Sequence, residues 1–104
     1  MGGAIFENFV VSEMVKGYQN AGKEPFIYYY RDKDAKEIDI VLERDGQLSP
    51  MEIKKTAQPG SQLTRTFKVL DKSGLRLGMG AVLCKAEQLG ALDRENLIVP
   101  VWMV

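Results

Sequence analysis

Apolar residues recur along the first segment at three- and four-residue spacing: Phe6, Phe9, Val10 and Met14. That period predicts an α-helix from residue 4 to about residue 19, with Gly22 as its C-cap. Glu7 falls in register with Val11, Met14 and Tyr18, so its carboxylate leaves the helix beside apolar neighbours. Glu13 is similarly placed between Phe6, Phe9 and Val10. The run Phe26-Ile27-Tyr28-Tyr29-Tyr30, aromatic and β-branched, predicts a first strand entered through Pro25. After a charged turn over residues 31–36, a hairpin is expected with strands over residues 37–44 and 47–54. Asp45-Gly46 between them signals a two-residue type I′ hairpin turn, which needs φ > 0 at both central positions. With that turn, Ile40 faces Met51, Asp39 faces Glu52, Ile38 faces Ile53 and Glu37 faces Lys54. Pro50 has no N–H for the ladder, so a bulge or a sheet edge is expected near it.

Residues 56–60 read as a loop. Ser61 is a suitable cap for a second helix, from residue 62 to about residue 72. Its apolar side is Leu63, Phe67 and Leu70, and its polar side carries Arg65, Lys68 and Lys72. Residues 75–84 predict a third major strand region. Gly78 and Gly80 within it form a lone Gly-x-Gly without the context of a phosphate loop, and mark a bulge or close packing. Residues 86–96 form a connector, and residues 97–104 a final strand apolar enough to be buried on both faces. The expected fold is α/β: a central mixed sheet of four to five strands flanked by helices, in the order α-β-β-β-α-β-β, as one domain over residues 1–104.

Composition narrows the chemistry. A chain of 104 residues is long enough for one core. Fourteen basic residues balance 14 acidic ones, so no global field draws the domain to nucleic acid or membrane. The clearest local asymmetry lies between Lys54 and Lys72, with five basic residues and one acidic. A solvated helix face is the plain explanation of it; a polyanion contact is the functional one. No apolar run is long enough to span a bilayer. The single cysteine, Cys84, lies in the apolar run Ala81-Val82-Leu83-Cys84 and is expected to be a buried core residue of a cytoplasmic protein. Both ends of the chain read as cut from something longer. Histidine is absent, which removes His-based triads and His–Cys zinc sites. What remains is carboxylate, lysine and metal.

Asp39 opposite Glu52 is costly, because facing like charges destabilise a sheet. A divalent cation gives the pairing a reason, since hard cations take carboxylate oxygens and cancel their repulsion. Screening by solvent on a polar sheet face is the competing explanation.

The element order, with Glu7 on the first helix, Asp39 on the second strand and Glu52-Ile53-Lys54 on the third, resembles the PD-(D/E)XK or restriction-endonuclease-like superfamily over nearly the whole chain. More narrowly, Gly3-Ala4-Ile5-Phe6-Glu7-Asn8-Phe9-Val10, Tyr28-Tyr29-Tyr30-Arg31-Asp32, Glu37-Ile38-Asp39-Ile40-Val41 and Met51-Glu52-Ile53-Lys54 look like the C-terminal domain of prokaryotic AAA-type ATP-binding proteins. That resemblance implies an ATPase module in the same chain; no Gly-x-x-x-x-Gly-Lys-Ser/Thr loop occurs in these residues. It implies Asp39, Glu52, the Ile53 carbonyl and Glu7 as ligands of Mg²⁺ or Mn²⁺. It makes Asp39, Glu52 and Lys54 catalytic, with Lys54 orienting water and stabilising charge on a phosphate. Ile38 stands where the signature has proline, and Gln62 is followed by Thr66 where some nucleases carry tyrosine. Lys55, Arg65 and Lys68 are candidates for flanking phosphates, which position a strand without reading its sequence. The expected activity is metal-dependent hydrolysis of DNA or RNA phosphodiesters, with DNA ahead of RNA. The alternative is a non-catalytic regulatory, nucleic-acid-binding or protein-docking module of the ATPase. A third option is oligomerisation through residues 26–30 or the strand at Leu97.

Overall fold

The structure, a computed structural model, describes residues 3–23 and 26–103, with side chains in the first helix from residue 9 onward. Helix α1 runs over Gly3–Asn20. It closes as the sequence predicts. Gly22 adopts φ 74°, the Lys23 N–H donates to the Tyr18 carbonyl at 2.9 Å, and the Gly22 N–H to Gln19 at 3.0 Å. These paired bonds satisfy the last carbonyls of the helix. Val10 and Met14 are buried, but Phe9 is 57 % exposed, which corrects its assignment to the inner face. The side chains of Phe6 and Glu7 lie outside the described residues.

The domain is α/β with a mixed sheet. Its strands are β1 (Ile27–Arg31), β2 (Glu37–Arg44), β3 (Gln47–Ile53), β4 (Arg76–Leu77), β5 (Gly80–Cys84), β6 (Gly90–Ala91) and β7 (Asn96–Pro100). Their spatial order is β1-β2-β3-β5-β7-β6, with β4 also on β3. The meander β1-β2-β3 is antiparallel, β3-β5-β7 is parallel, and β6 is antiparallel to β7. The predicted strand at 75–84 is thus split into β4 and β5, and β6 emerges from the expected connector. At the hairpin, Asp45 (φ 53°) and Gly46 (φ 77°) make the type I′ turn. Arg44 pairs with Gln47 and the register holds to Ile40 opposite Met51.

Pro50 causes no bulge: it pairs with Val41 inside β3, a strand with neighbours on both sides. Alternate residues of a strand turn their amides to opposite edges. Leu48 and Lys54 bond toward β4 and β5, the Gly78 N–H reaching the Leu48 carbonyl at 2.8 Å and the Lys54 N–H the Leu83 carbonyl at 2.9 Å. Pro50 shares their parity. Its missing donor therefore faces the gap between β4 and β5, where no partner is needed.

Each face of the sheet has its own cover. Val10 and Met14 of α1 pack with Ile40, Ile53, Ala81 and Leu83 on one side. On the other, Phe67 and Leu70 pack with Ile38, Val41 and Leu48. Phe67 and Leu70 belong to Ser61–Ser73, which corrects the expected α-helix: it winds as a 3₁₀ helix. Its buried residues, Thr64, Phe67 and Leu70, recur every three positions, the 3₁₀ repeat. Ser61 is not a side-chain cap. Gly60 holds the cap position without a side-chain bond, and the Ser61 carbonyl accepts from the Thr64 hydroxyl at 3.0 Å.

Gly78 and Gly80 do mark close packing. A Cβ on Gly80 would run into Asn96 Oδ1 and the Phe67 ring. Cys84 is fully buried and unpaired, as expected. The last strand is shorter than expected, ending at Pro100 and giving way to a 3₁₀ turn over Val101–Met103. Leu97, Ile98 and Val99 are half-buried rather than enclosed on both faces, because β7 is flanked on one side by only the two residues of β6. Val104 lies outside the described residues. Among the described residues, no helix is long and apolar enough to cross a membrane.

Candidate metal centre

Across β1 and β2, Tyr28 pairs with Val41 but Tyr30 pairs with Ile38. Tyr29 therefore opposes both Asp39 and Ile40, and β2 carries a bulge at Asp39–Ile40. A bulge adds one residue, breaks the alternation of faces and re-aims a side chain. Ile38 is accordingly switched to the face of Phe67, while Ile53 stays on the face of α1. The expected Ile38–Ile53 pair does not form. Nor does Glu37 meet Lys54: Glu37 pairs with Arg31 on β1, with Arg31 Nε 3.6 Å from its carboxylate. Both side chains are well exposed, so this ion pair contributes little stability.

The β2–β3 ladder ends at Ile40–Met51, one residue short of the carboxylates. By the alternation of the hairpin, the Ile53 N–H should donate to the backbone of Ile38. Instead it donates to Asp39 Oδ2 at 2.9 Å. The carboxylate of Asp39 replaces a ladder bond at the point where the strands part.

Glu52 is half-buried beside it. Burial above all, then the charge of Asp39 and a hydrogen bond to the Asp39 side chain, push its carboxyl up to about 8. The Asp39 backbone N–H and the positive charge of Lys54 pull the other way without cancelling this. At neutral pH the Glu52 carboxyl is therefore held largely protonated beside Asp39. The predicted approach of Asp39 to Glu52 is present, reached through a bulge rather than through a continued ladder.

Lys54 follows two positions after Glu52 and is exposed, as is Lys55. In a strand, a residue's N–H and C=O leave the same edge, so the Ile53 carbonyl points to the Asp39 side of β3. Two carboxylates and one carbonyl are hard oxygen donors of the kind Mg²⁺ or Mn²⁺ takes while keeping several waters. One oxygen of Asp39 is committed to Ile53, a hydrogen bond that fixes the carboxylate's orientation. Among the described residues, no group of three His, Cys, Asp or Glu side chains converges for a metal. The third predicted carboxylate, Glu7, has its side chain outside the described residues.

Arg65 and Lys68 lie away from the carboxyl pair, along the 3₁₀ segment. They line a cleft of about 740 Å³ that also takes in Pro50, two residues before Glu52 on the same face. Two residues near these sites were missed from the sequence. Arg94, from the loop before β7, lines the same cleft as Arg65 and Lys68. Tyr29, 58 % exposed, bonds through its phenol to Glu37; that bond raises its pKa, and the charge of Asp39 adds to the rise. The only sequence signal for Tyr29 was its place in an aromatic run, which says nothing of a bulge.

A family model described as "Domain of unknown function (DUF4143)" matches residues 2–104, and the chain belongs to this family. Domains of the family are often found with AAA ATPases. No curated protein and no solved structure shows significant similarity to the chain.

Proposed function

We propose that this DUF4143 domain is a metal-dependent nuclease-like domain attached to an AAA-type ATPase, acting on DNA or RNA phosphodiesters. The observation that carries it is the meeting of the Asp39 and Glu52 carboxyls at the opening of the β2–β3 hairpin, where Asp39 Oδ2 takes the Ile53 N–H. Two carboxyls forced together in a half-buried place are a cost to the fold, and a divalent cation removes that cost by replacing the proton. Asp39, Glu52 and the Ile53 carbonyl would hold Mg²⁺ or Mn²⁺ there, and the ion would supply an acidified water and offset charge on the phosphate. The Lys54 ammonium, exposed beside the pair, is placed to stabilise negative charge on a phosphate oxygen. Lys55, Arg65 and Lys68 take flanking phosphates and orient the strand.

The test is hydrolysis of end-labelled DNA and RNA oligonucleotides with Mn²⁺, using the domain alone and joined to its ATPase. Cleavage lost in each of Asp39→Ala, Glu52→Ala and Lys54→Ala is expected. Cleavage that persists in all three variants overturns the assignment.

A docking module of the ATPase is the second reading, favoured by one observation. Strand β1 lies at the sheet edge, and Tyr28 and Tyr29 are half or more exposed on it. An edge strand is a template for pairing with another chain. A Tyr29→Pro variant of the separate domain that no longer binds the separately produced ATPase module, while still binding metal, would favour this second role.

A further inference from the structure

The two ends of the sheet differ in how they are protected. At one end the sheet closes with β6, a strand of two residues, and so short an edge resists pairing with other chains. At the other, β1 has five residues and, among the described residues, no strand on its outer side. It contains neither proline nor lysine, two residues that commonly protect an edge. Tyr28 and Tyr29 are 50 % and 58 % exposed on it.

Two hydrogen bonds fix which groups of β1 face outward. The Phe26 carbonyl accepts from the Glu43 N–H at 2.9 Å, and the Asp32 N–H donates to the Lys36 carbonyl at 3.1 Å. Phe26 and Asp32 thus bond inward, and by alternation so do Tyr28 and Tyr30, which pair with Val41 and Ile38. The bulge leaves this count intact, because its extra residue lies in β2. Ile27, Tyr29 and Arg31 therefore direct their N–H and C=O groups away from the sheet. Side chains alternate as well. Ile27 packs on the α1 face and Tyr30 on the face of the 3₁₀ helix, so Tyr29 goes with Ile27 and Tyr28 with Tyr30.

An antiparallel strand centred on Tyr29 satisfies all three outward residues, and a second β1 is such a strand. About a two-fold axis at Tyr29, that residue bonds Tyr29 of the copy, while Ile27 and Arg31 bond Arg31 and Ile27 of the copy. Tyr28 then lies beside Tyr30 of the copy on one face, and the two Tyr29 rings meet on the other. Such aromatic cross-strand pairs are favourable. No like charges are directly opposed, and Arg31 keeps Glu37 of its own chain across β2.

We propose that this edge is a homodimer interface, in which β1 pairs antiparallel with β1 of a second copy about a two-fold axis at Tyr29. The two sheets become one. β2 and its copy then stand three strand spacings apart, about 14 Å. Because Tyr29 opposes Asp39 at the bulge, the dimer sets two carboxyl pairs on either side of the seam. The contact is one short strand from each chain, which places it among the weak interfaces of small area. It stands independently of the metal proposed for Asp39 and Glu52, and it competes with the docking of an ATPase segment on the same edge.

The experiment is sedimentation equilibrium of the full chain from about 5 µM to about 500 µM, the range that reads a weak interface. The average mass should rise from monomer toward dimer. Tyr29→Lys removes the ring pair and opposes two ammonium groups at the axis, and should weaken association about 10-fold. Phe9→Ser and Trp102→Ser remove side chains exposed elsewhere and should leave it unchanged. Tyr29→Cys should form a disulfide with its copy on mild oxidation, since bonded antiparallel partners have Cα atoms about 5.5 Å apart, within disulfide reach. Buried Cys84 gives no such background. Amide exchange of the wild type, followed by NMR, reads the register without any substitution. Exchange at Ile27, Tyr29 and Arg31 should slow as concentration rises, while Tyr28 and Tyr30 stay protected throughout. The inference is overturned by a monomer at every concentration, by association that Tyr29→Lys leaves intact, by association lost in Phe9→Ser or Trp102→Ser instead, or by exchange at Ile27, Tyr29 and Arg31 that ignores concentration.

Discussion

Replacing Glu52 by Gln should make the domain more stable at alkaline pH and leave it nearly unchanged in acid. In the folded chain the Glu52 carboxyl titrates near 8, against 4.5 for an unperturbed glutamate. Between those values the folded state holds a proton that the unfolded state has released, so wild-type stability falls as pH rises from about 4.5 to about 8. At about 1.36 kcal/mol per pH unit, the gap sets a ceiling of about 5 kcal/mol. Glu52 is only half-buried, and solvent screening reduces this to about 2 kcal/mol. Glutamine keeps the donor that the protonated acid offers to Asp39 but cannot ionise. In urea unfolding, a slope of about 2 kcal/mol per molar converts that difference into a midpoint shift of about 1 M at pH 8.5. At pH 5 the two proteins should unfold together within about 0.5 kcal/mol. Stability curves that run parallel from pH 5 to 8.5 would refute the raised Glu52 carboxyl, whatever their offset.

Other expected outcomes follow from particular contacts. Asp39→Ala should cost about 1–3 kcal/mol in urea unfolding, because the Ile53 N–H is left without an acceptor. Gly80→Ala should cost about 1–3 kcal/mol from its collision with Asn96 and Phe67, and Gly90→Ala, with open space around it, should cost less than about 1 kcal/mol. Phe67→Ala should cost about 3–5 kcal/mol, since the ring joins the 3₁₀ segment to Ile38, Val41 and Leu48. Circular dichroism of each variant separates these local losses from global failure to fold.

The hairpin was legible because its signals are local. Asp45-Gly46 dictates the turn, and the turn dictates the pairing as far as Ile40 and Met51. Gly22 closes α1 for an equally local reason. The bulge was hidden because it arises from a mismatch between β2 and β1, and nothing in the alternation around Asp39 announces what Tyr29 will oppose. It still brings Asp39 to Glu52, so the carboxyl pair was found while its neighbours Ile38 and Glu37 were misplaced. Pro50 drew suspicion to the wrong strand, because whether its missing donor matters depends on the gap between β4 and β5. In Ser61–Ser73, Leu63, Phe67 and Leu70 suit an α-helix; the three-residue repeat appears only when polar Thr64 is counted as buried.

Replacement of the Glu52 proton by a metal held with Asp39 is the central claim, and calorimetry of Mn²⁺ binding tests it most directly. Titrations at pH 7 in two buffers of different ionisation enthalpy report the protons released. About one proton should leave per Mn²⁺ at pH 7, with none released and tighter binding at pH 9, because Glu52 titrates near 8. Binding should vanish in Asp39→Ala and in Glu52→Ala. No heat of binding at millimolar Mn²⁺, or binding that survives both substitutions, would contradict a metal centre at Asp39 and Glu52.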